Sequence, residues 1–194
     1  MKMPNPPPTD TILRATRGST QAFREVVEWL QPYAYSVAYR FTGDADDAQD
    51  IVQEAFVRLW RHLPDYRPEV KLTTWLYRIV VNLCFDFLKS RHRRQQKNRV
   101  GLADGHGIPD LSSPEKDLQQ RELLQSVHRA CETLPPKQRA VFILRDLEGL
   151  SAQEACEALS MDAGTLKSNL FYARRQVGEK LRAFYQDNTN HFSL

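Results

Sequence analysis

Long apolar runs are missing from this sequence. The longest, Ile79 to Leu88, is broken by Asn82 and Asp86, well short of the roughly 18 residues a membrane helix needs. The opening MKMPNPPPTD has no apolar segment of the secretory kind. Cysteine is scarce: Cys84, Cys131 and Cys156 lie far apart and form no C-x-x-C pair. That argues against a disulfide framework and against a thiolate zinc site. A reducing cytoplasm is therefore the expected compartment, without membrane insertion. Glycine is scarce too, with 8 residues in 194, and no phosphate-binding glycine loop, H-E-x-x-H or nucleophile elbow occurs. The histidines are scattered. Asp46, Asp47 and Asp50 cluster, but neighbouring helical carboxylates diverge and no histidine supports them. The sequence therefore predicts no enzyme, no metal site and no cofactor.

Charge is present in blocks. The formal net charge is only +3. Residues 89–101 carry Lys89, Arg91, Arg93, Arg94, Lys97 and Arg99 with no acid. Residues 163–182 carry a balance of +4, whereas 102–162 carry −5. Concentrated positive charge is the electrostatic footprint of phosphate-backbone binding, although one basic block alone also fits a solvated helix end.

Apolar residues recur at helical spacing nearly everywhere, and nothing alternates with period two for long. The expected class is all-α, with two small helical domains, residues 10–94 and 116–185. The linker at 95–115 is rich in Gly, Pro and Ser. Helices are predicted from Asp10 or Thr11 to Thr16, from Thr20 to about Phe41, from Asp44 to Leu63 and from Thr73 or Thr74 to about Arg94. Pro32 should divide the second of these in two. In the C-terminal half, helices are predicted from about Pro114 to Thr133, Pro136 to Leu147, Ala152 to Leu159 and Ala163 to about Tyr185.

The third helix, DADDAQDIVQEAFVRLWRHL, carries acids at its start and Arg58, Arg61 and His62 at its end, complementing the helix dipole. Val52, Ala55, Phe56, Leu59 and Leu63 form its core stripe. Asp46, Asp50, Gln53 and Glu54 remain on an exposed face, which either serves solubility or docks on a basic partner. The fourth helix is apolar around most of its girth. Its narrow polar stripe is Arg78, Asn82, Asp86, Lys89 and Arg93. Asn82 either satisfies a neighbouring loop or reads a base edge. The preceding loop places Tyr66, Arg67 and Lys71 near Trp75 and Tyr77. Aromatics interleaved with cations can hold unstacked bases, while Trp75 and Tyr77 also suit the core.

Ser151 and Glu154 form a capping box opening a short helix. A three-residue turn, Ser160–Met161–Asp162, leads into a long basic helix, the pattern of a helix-turn-helix. On that helix Thr165, Ser168, Asn169 and Tyr172 share one face, flanked by Lys167, Arg174 and Arg175. Hydrogen-bonding groups would then meet a major groove and cations the phosphates.

Three segments carry a family resemblance: DADDAQDIVQEAFVRLW, WLYRIVVNLCFDFLKSRHRR and LPPKQRAVFILRDLEGLSAQEACEALSMDAGTLKSNLFYARRQ. In this order and separation, from about Thr11 to Arg182, the chain resembles the sigma-70 family of bacterial RNA polymerase sigma factors, in its small extracytoplasmic-function (ECF) group. The resemblance implies a promoter-specificity subunit whose partners are core RNA polymerase, promoter DNA and an anti-sigma factor. It implies polymerase docking by Asp47, Asp50, Gln53 and Glu54 on the coiled coil of the largest subunit. It implies capture of the melted −10 element by Tyr66, Lys71, Arg78, Asn82, Lys89 and Arg93. It assigns −35 recognition to Thr165, Lys167, Ser168, Asn169, Tyr172, Arg174 and Arg175. Three positions depart from the family pattern. Leu72 stands near a frequent aromatic, Ser160 replaces a common turn glycine, and Asn169 replaces a frequent arginine. The competing functional reading is a conventional helix-turn-helix regulator, which requires a ligand-binding or receiver domain in the N-terminal half.

Overall fold

The computed structural model describes residues 7–97 and 126–191, with side chains placed up to 91 and 183 in the two segments. Every regular element among the described residues is helical. Four helices form the N-terminal segment: α1 (Thr9–Thr16), α2 (Thr20–Thr42), α3 (Ala45–His62) and α4 (Leu72–Lys97), with a 3-10 turn at Leu63–Asp65 before α4. The C-terminal segment holds α5 (126–132), α6 (Pro136–Phe142), α7 (Ala152–Leu159) and α8 (Ala163–His191).

Local chemistry explains most boundaries. The Ser19 hydroxyl accepts from the Ala22 amide and starts α2. The Asp44 carboxylate accepts from the Asp46 and Asp47 amides and starts α3. The Ser151–Glu154 capping box forms in both directions and starts α7. Gly43 ends α2 in a left-handed conformation, φ 73°. A Cβ at this position would come 2.7 Å from His128 Cε1, so the close approach also requires glycine. Ser160 adopts the same left-handed region, φ 51°, at the end of α7, a conformation that glycine takes without strain.

Two helix expectations are corrected. Pro32 does not divide α2, which runs unbroken through it. Its ring lies on the exposed side. Ala22, Val26, Leu30, Ala34, Val37, Ala38 and Phe41 make one buried stripe on both sides of it. Packing along that stripe outweighs the backbone bond that proline cannot make. The helix predicted from Pro136 to Leu147 is α-helical only to Phe142, and Ile143–Leu147 widens into a π-turn. The wider turn lets Ile143 and Leu144, both fully buried, point into the core together with Leu150. The first three residues of the expected 95–115 linker belong to α4, and the rest lies outside the described residues. So does the 114–125 part of the helix predicted from Pro114.

The core is not confined to one end of the chain. Residues of α1 to α4 share a single buried cluster with Ala140, Val141, Ile143, Leu144, Leu150, Ala155, Ala158 and Leu166. A smaller cluster joins Ala130, Cys131, Leu134 and Phe142 to Ala173 and Val177 of α8. Polar groups reinforce the junction. The carboxylate of Glu148, 1% exposed, accepts from Ser36 Oγ at 2.8 Å and Arg40 Nε at 3.1 Å. Arg139, 5% exposed, donates to the carbonyls of Cys131 at 2.9 Å and Phe41 at 3.0 Å. His128 Nε2 lies 3.4 Å from the Tyr39 carbonyl. Arg139 and His128 thus serve carbonyls in the last turn of α2, where partial negative charge favours donors and cations.

Candidate functional site

On α3, Asp50 and Gln53 are exposed, while Asp47 and Glu54 are half-buried. Partial burial and then the neighbouring Asp44 push the Asp47 carboxyl up, with Asp50 and Asp46 adding to the rise and Arg91 opposing it. Crowded carboxylates of one sign favour a basic partner, which would relieve their repulsion. Glu54 already holds one cation, Arg58, at 2.7 Å. The core stripe of α3 packs as expected, with Val52, Ala55, Phe56, Leu59 and Leu63 all buried.

Between α3, the 3-10 turn and α4 lies an open cleft of about 360 Å³, lined by Arg58, His62, Asp65, Trp75, Ile79 and Asn82. Asn82 is exposed there, and its amide makes no hydrogen bond among the described residues. The loop-satisfying role considered for it is therefore not observed. Trp75 is half-buried, stacked on Tyr66 with ring centroids 5.6 Å apart at 20°. Its core role is thus only partial. Burial pushes the Tyr66 phenol up. Leu72, by contrast, is buried and presents no stacking surface. Trp75 was weighed from sequence both as a base-stacking ring and as core, whereas Arg58 and His62 were not singled out for this surface. Arg58 and His62 suited the helix dipole, and only the packing of α3 against α4 aims them into the cleft.

The remaining −10 candidates are distributed differently. Lys71 Nζ pairs with Glu154 of α7 at 2.7 Å. Partial burial alone would raise the Glu154 carboxyl, but bonds from Lys71 and Ser151 pull it down to about 2. Arg78 donates from Nε to the Glu157 carbonyl at 3.0 Å, and from a terminal nitrogen to the same oxygen. Lys89 is exposed and lies 3.7 Å from Asp86. Arg93 lies on α4, with its side chain outside the described residues. The polar stripe is thus split: Arg78 faces α7, and Asn82 faces the cleft.

The helix-turn-helix forms with its three-residue turn at Ser160–Met161–Asp162. Leu166, Ala173 and Val177 of α8 are buried, and Leu170 and Leu181 half-buried. Asp162 caps α8. It accepts from the Thr165 hydroxyl at 2.6 Å and from the Thr165 amide at 2.9 Å, and these bonds hold its carboxyl below the usual range. Asn169 donates to the Thr165 carbonyl at 2.8 Å. Thr165 and Asn169 are therefore internally bonded, whereas Lys167, Ser168 and Tyr172 are exposed. Arg174 grips Asp146 through two bonds of 2.7 and 2.6 Å, and Arg175 pairs with Glu179 at 3.0 Å. Phe171, 63% exposed, meets Tyr172 edge-on at 5.5 Å. It lines a groove of about 510 Å³ with Lys167, Leu170, Arg174, Arg175 and Arg182. The helical pattern gave no signal for Phe171, because an apolar residue reads as core until its face is known.

Among the described residues no group of His, Cys, Asp and Glu could hold a metal ion, and no helix is long and apolar enough to cross a membrane.

The sequence matches two family descriptions: "Sigma-70 region 2" over residues 26–94 and "Sigma-70, region 4" over residues 124–177. It is 32% identical over 182 residues to the RNA polymerase sigma-H factor of Pseudomonas aeruginosa, covering 91% of this chain and 94% of that one. It is 33% identical over 182 residues to the ECF RNA polymerase sigma-E factor of Escherichia coli K12, covering 90% and 95%. Among solved structures, the sigma factor RpoE bound to the anti-sigma factor NepR, from Bartonella quintana, superposes with a TM-score of 0.70. It is 23% identical and covers 84% of this chain and 98% of that one. CnrH, in complex with the cytosolic domain of CnrY, gives 0.66 at 23% identity, covering 90% and 96%. At that identity the last two establish the fold.

Proposed function

The chain belongs to the sigma-70 family of RNA polymerase sigma factors, in its ECF group, and we propose how its surfaces divide that work. As a sigma factor it binds core polymerase and directs promoter recognition and transcription initiation. Its partners are core polymerase, promoter DNA and an anti-sigma factor. Recognition is its own task, while polymerase supplies the chemistry, and it works in the cytoplasm where polymerase is. Residues 10–94 form the polymerase-binding and −10 unit, and residues 116–185 form the −35 unit.

Asp47, Asp50, Gln53 and Glu54 dock on polymerase. Tyr66, Lys71, Arg78, Asn82, Lys89 and Arg93, with Trp75, hold the melted −10 strand. Lys167, Ser168, Asn169 and Tyr172 read −35 bases, with Thr165 beside them, while Arg174 and Arg175 meet phosphates. The observation that carries the −10 assignment is the Asn82 amide, unbonded among the described residues and exposed in a cleft beside the Tyr66–Trp75 stack. A neutral amide and an aromatic plate are what an extruded base requires. The solved RpoE from Bartonella quintana is in complex with the anti-sigma factor NepR, which supports an anti-sigma partner for this chain.

The test combines a pull-down with run-off transcription. Reversing Asp50 and Glu54 to lysine together should abolish assembly with core polymerase without altering the melting temperature. Unchanged assembly rejects the docking assignment. The conventional-regulator reading requires specific promoter binding without polymerase, and the region 2 match over residues 26–94 occupies the place of the sensor domain it needs.

A further inference from the structure

We propose that Arg58 is a phosphate contact for the single strand in the Trp75–Asn82 cleft, held back by Glu54 until polymerase takes that carboxylate. The release step rests on the docking role of Glu54 proposed above. Arg58 follows Glu54 by one helical turn on α3, and its Nε donates to Glu54 Oε1 at 2.7 Å. The same side chain lines the cleft with Trp75, Asn82, His62 and Asp65. It is thus the residue at which the acidic docking face and the cleft meet.

A base held by an amide and an aromatic ring brings a phosphate with it. Trp75, Ile79 and Asn82 cannot neutralise that charge, and Asp65 opposes it. Arg58 can: a guanidinium is always charged, and its planar fork of donors matches phosphate oxygens. With Nε on Glu54, its terminal nitrogens have no partner among the described residues. The side chains of the pair are 43% and 45% exposed. An exposed pair one turn apart shifts an equilibrium by only about twofold, so a basic partner on Glu54 can displace Arg58 readily. Linkage makes the effect reciprocal: polymerase docking tightens strand binding by the factor by which the strand tightens docking.

The experiment follows a fluorescein-labelled single-stranded −10 oligonucleotide by anisotropy, with the full-length chain and with holoenzyme, over a series of salt concentrations. Arg58→Gln should make the slope of log affinity against log salt shallower by about 0.7, one single-strand phosphate contact. Arg58→Lys should keep the slope. In the free chain, Glu54→Ala should tighten binding about twofold, and that gain should vanish in the Arg58→Gln background. An unchanged slope in Arg58→Gln overturns the strand contact. An equal gain from Glu54→Ala in both backgrounds overturns the restraint, because it would then reflect only the lost negative charge. A parallel pull-down with core polymerase separates the premises. If Glu54→Ala assembles as tightly as the parent chain, docking at Glu54 is rejected and the release step with it.

Discussion

At the scale of single residues, the decisive fact is which polar groups have partners. Asn82 has none among the described residues and lines the cleft, so its truncation should spare the fold and impair opening. Asn82→Ala should leave the melting temperature unchanged and reduce permanganate reactivity of duplex promoter, with partial rescue on a premelted template. A lowered melting temperature with normal opening would remove it from the site. Arg139 is the opposite case. It is buried and satisfies two carbonyls, those of Cys131 and Phe41. Arg139→Met would leave both acceptors unmet in the interior, at about 1–3 kcal/mol each. Urea denaturation should therefore show a loss of roughly 2–4 kcal/mol, and a loss under 1 would refute the capping role. Beside it, burial pushes the Cys131 thiol up to about 11, which keeps it a neutral packing group.

At the scale of elements, the start and core stripe of α3 and the start of α7 were legible along the chain. The acids of α3, the capping box of α7 and the turn before α8 all follow from neighbours within four residues. What each helix face does depends on another helix. Arg174 reads as a free phosphate ligand on α8, yet in the fold it is bound to Asp146 at the end of the π-turn. For Arg174 to meet a phosphate as proposed, DNA would have to displace that carboxylate. Asp146→Asn should therefore strengthen binding of −35 duplex by the full-length chain, and Arg174→Ala should cancel the gain. Equal affinities for Asp146→Asn and the parent would show that the pair does not compete with DNA. Ser151→Ala removes one arm of the α7 capping box and should cost about 1 kcal/mol in thermal unfolding.

At the scale of the whole molecule, the packed arrangement occupies groups proposed for DNA binding. Lys71 and Arg78, proposed for the −10 strand, are engaged with Glu154 and the Glu157 carbonyl of α7. Helix α7, the first of the helix-turn-helix, thus holds two of the cations proposed for the −10 strand. The full-length chain alone should bind duplex promoter poorly and become specific with core polymerase, as measured at fixed salt. Acid should loosen the arrangement. Burial pushes the His128 imidazole below its ordinary value, and Arg139 and Arg40 act in the same direction. Glu132 and the Tyr39 carbonyl oppose them. A histidine with a depressed folded pKa stabilises above its unfolded value near 6.5, and that contribution falls as pH drops through and below it. The Glu154 carboxyl, held at about 2, adds a second loss below its unfolded value near 4.3. Stability should thus fall between about pH 7 and pH 5.5, and His128→Gln should flatten that step alone. A pH-independent melting temperature in this range would reject the assignment.

The sequence by itself determined the all-α class, the capping box of α7, the core stripe of α3, the helix-turn-helix and the family. These depend on residues three or four apart, where helical geometry makes spacing equivalent to position. Only the tertiary structure decided that α2 continues through Pro32, because a buried stripe on both sides outweighs one missing backbone bond. Tertiary packing also put Arg58, Trp75 and Asn82 around one cleft, and turned Lys71, Arg78 and Arg174 toward carboxylate or carbonyl oxygens. Those pairings reach from Arg58 to Trp75, 17 positions on, and from Lys71 to Glu154, 83 positions on. No periodicity carries information over such separations; it arises when helix faces bury their apolar stripes and bring the remaining polar groups together.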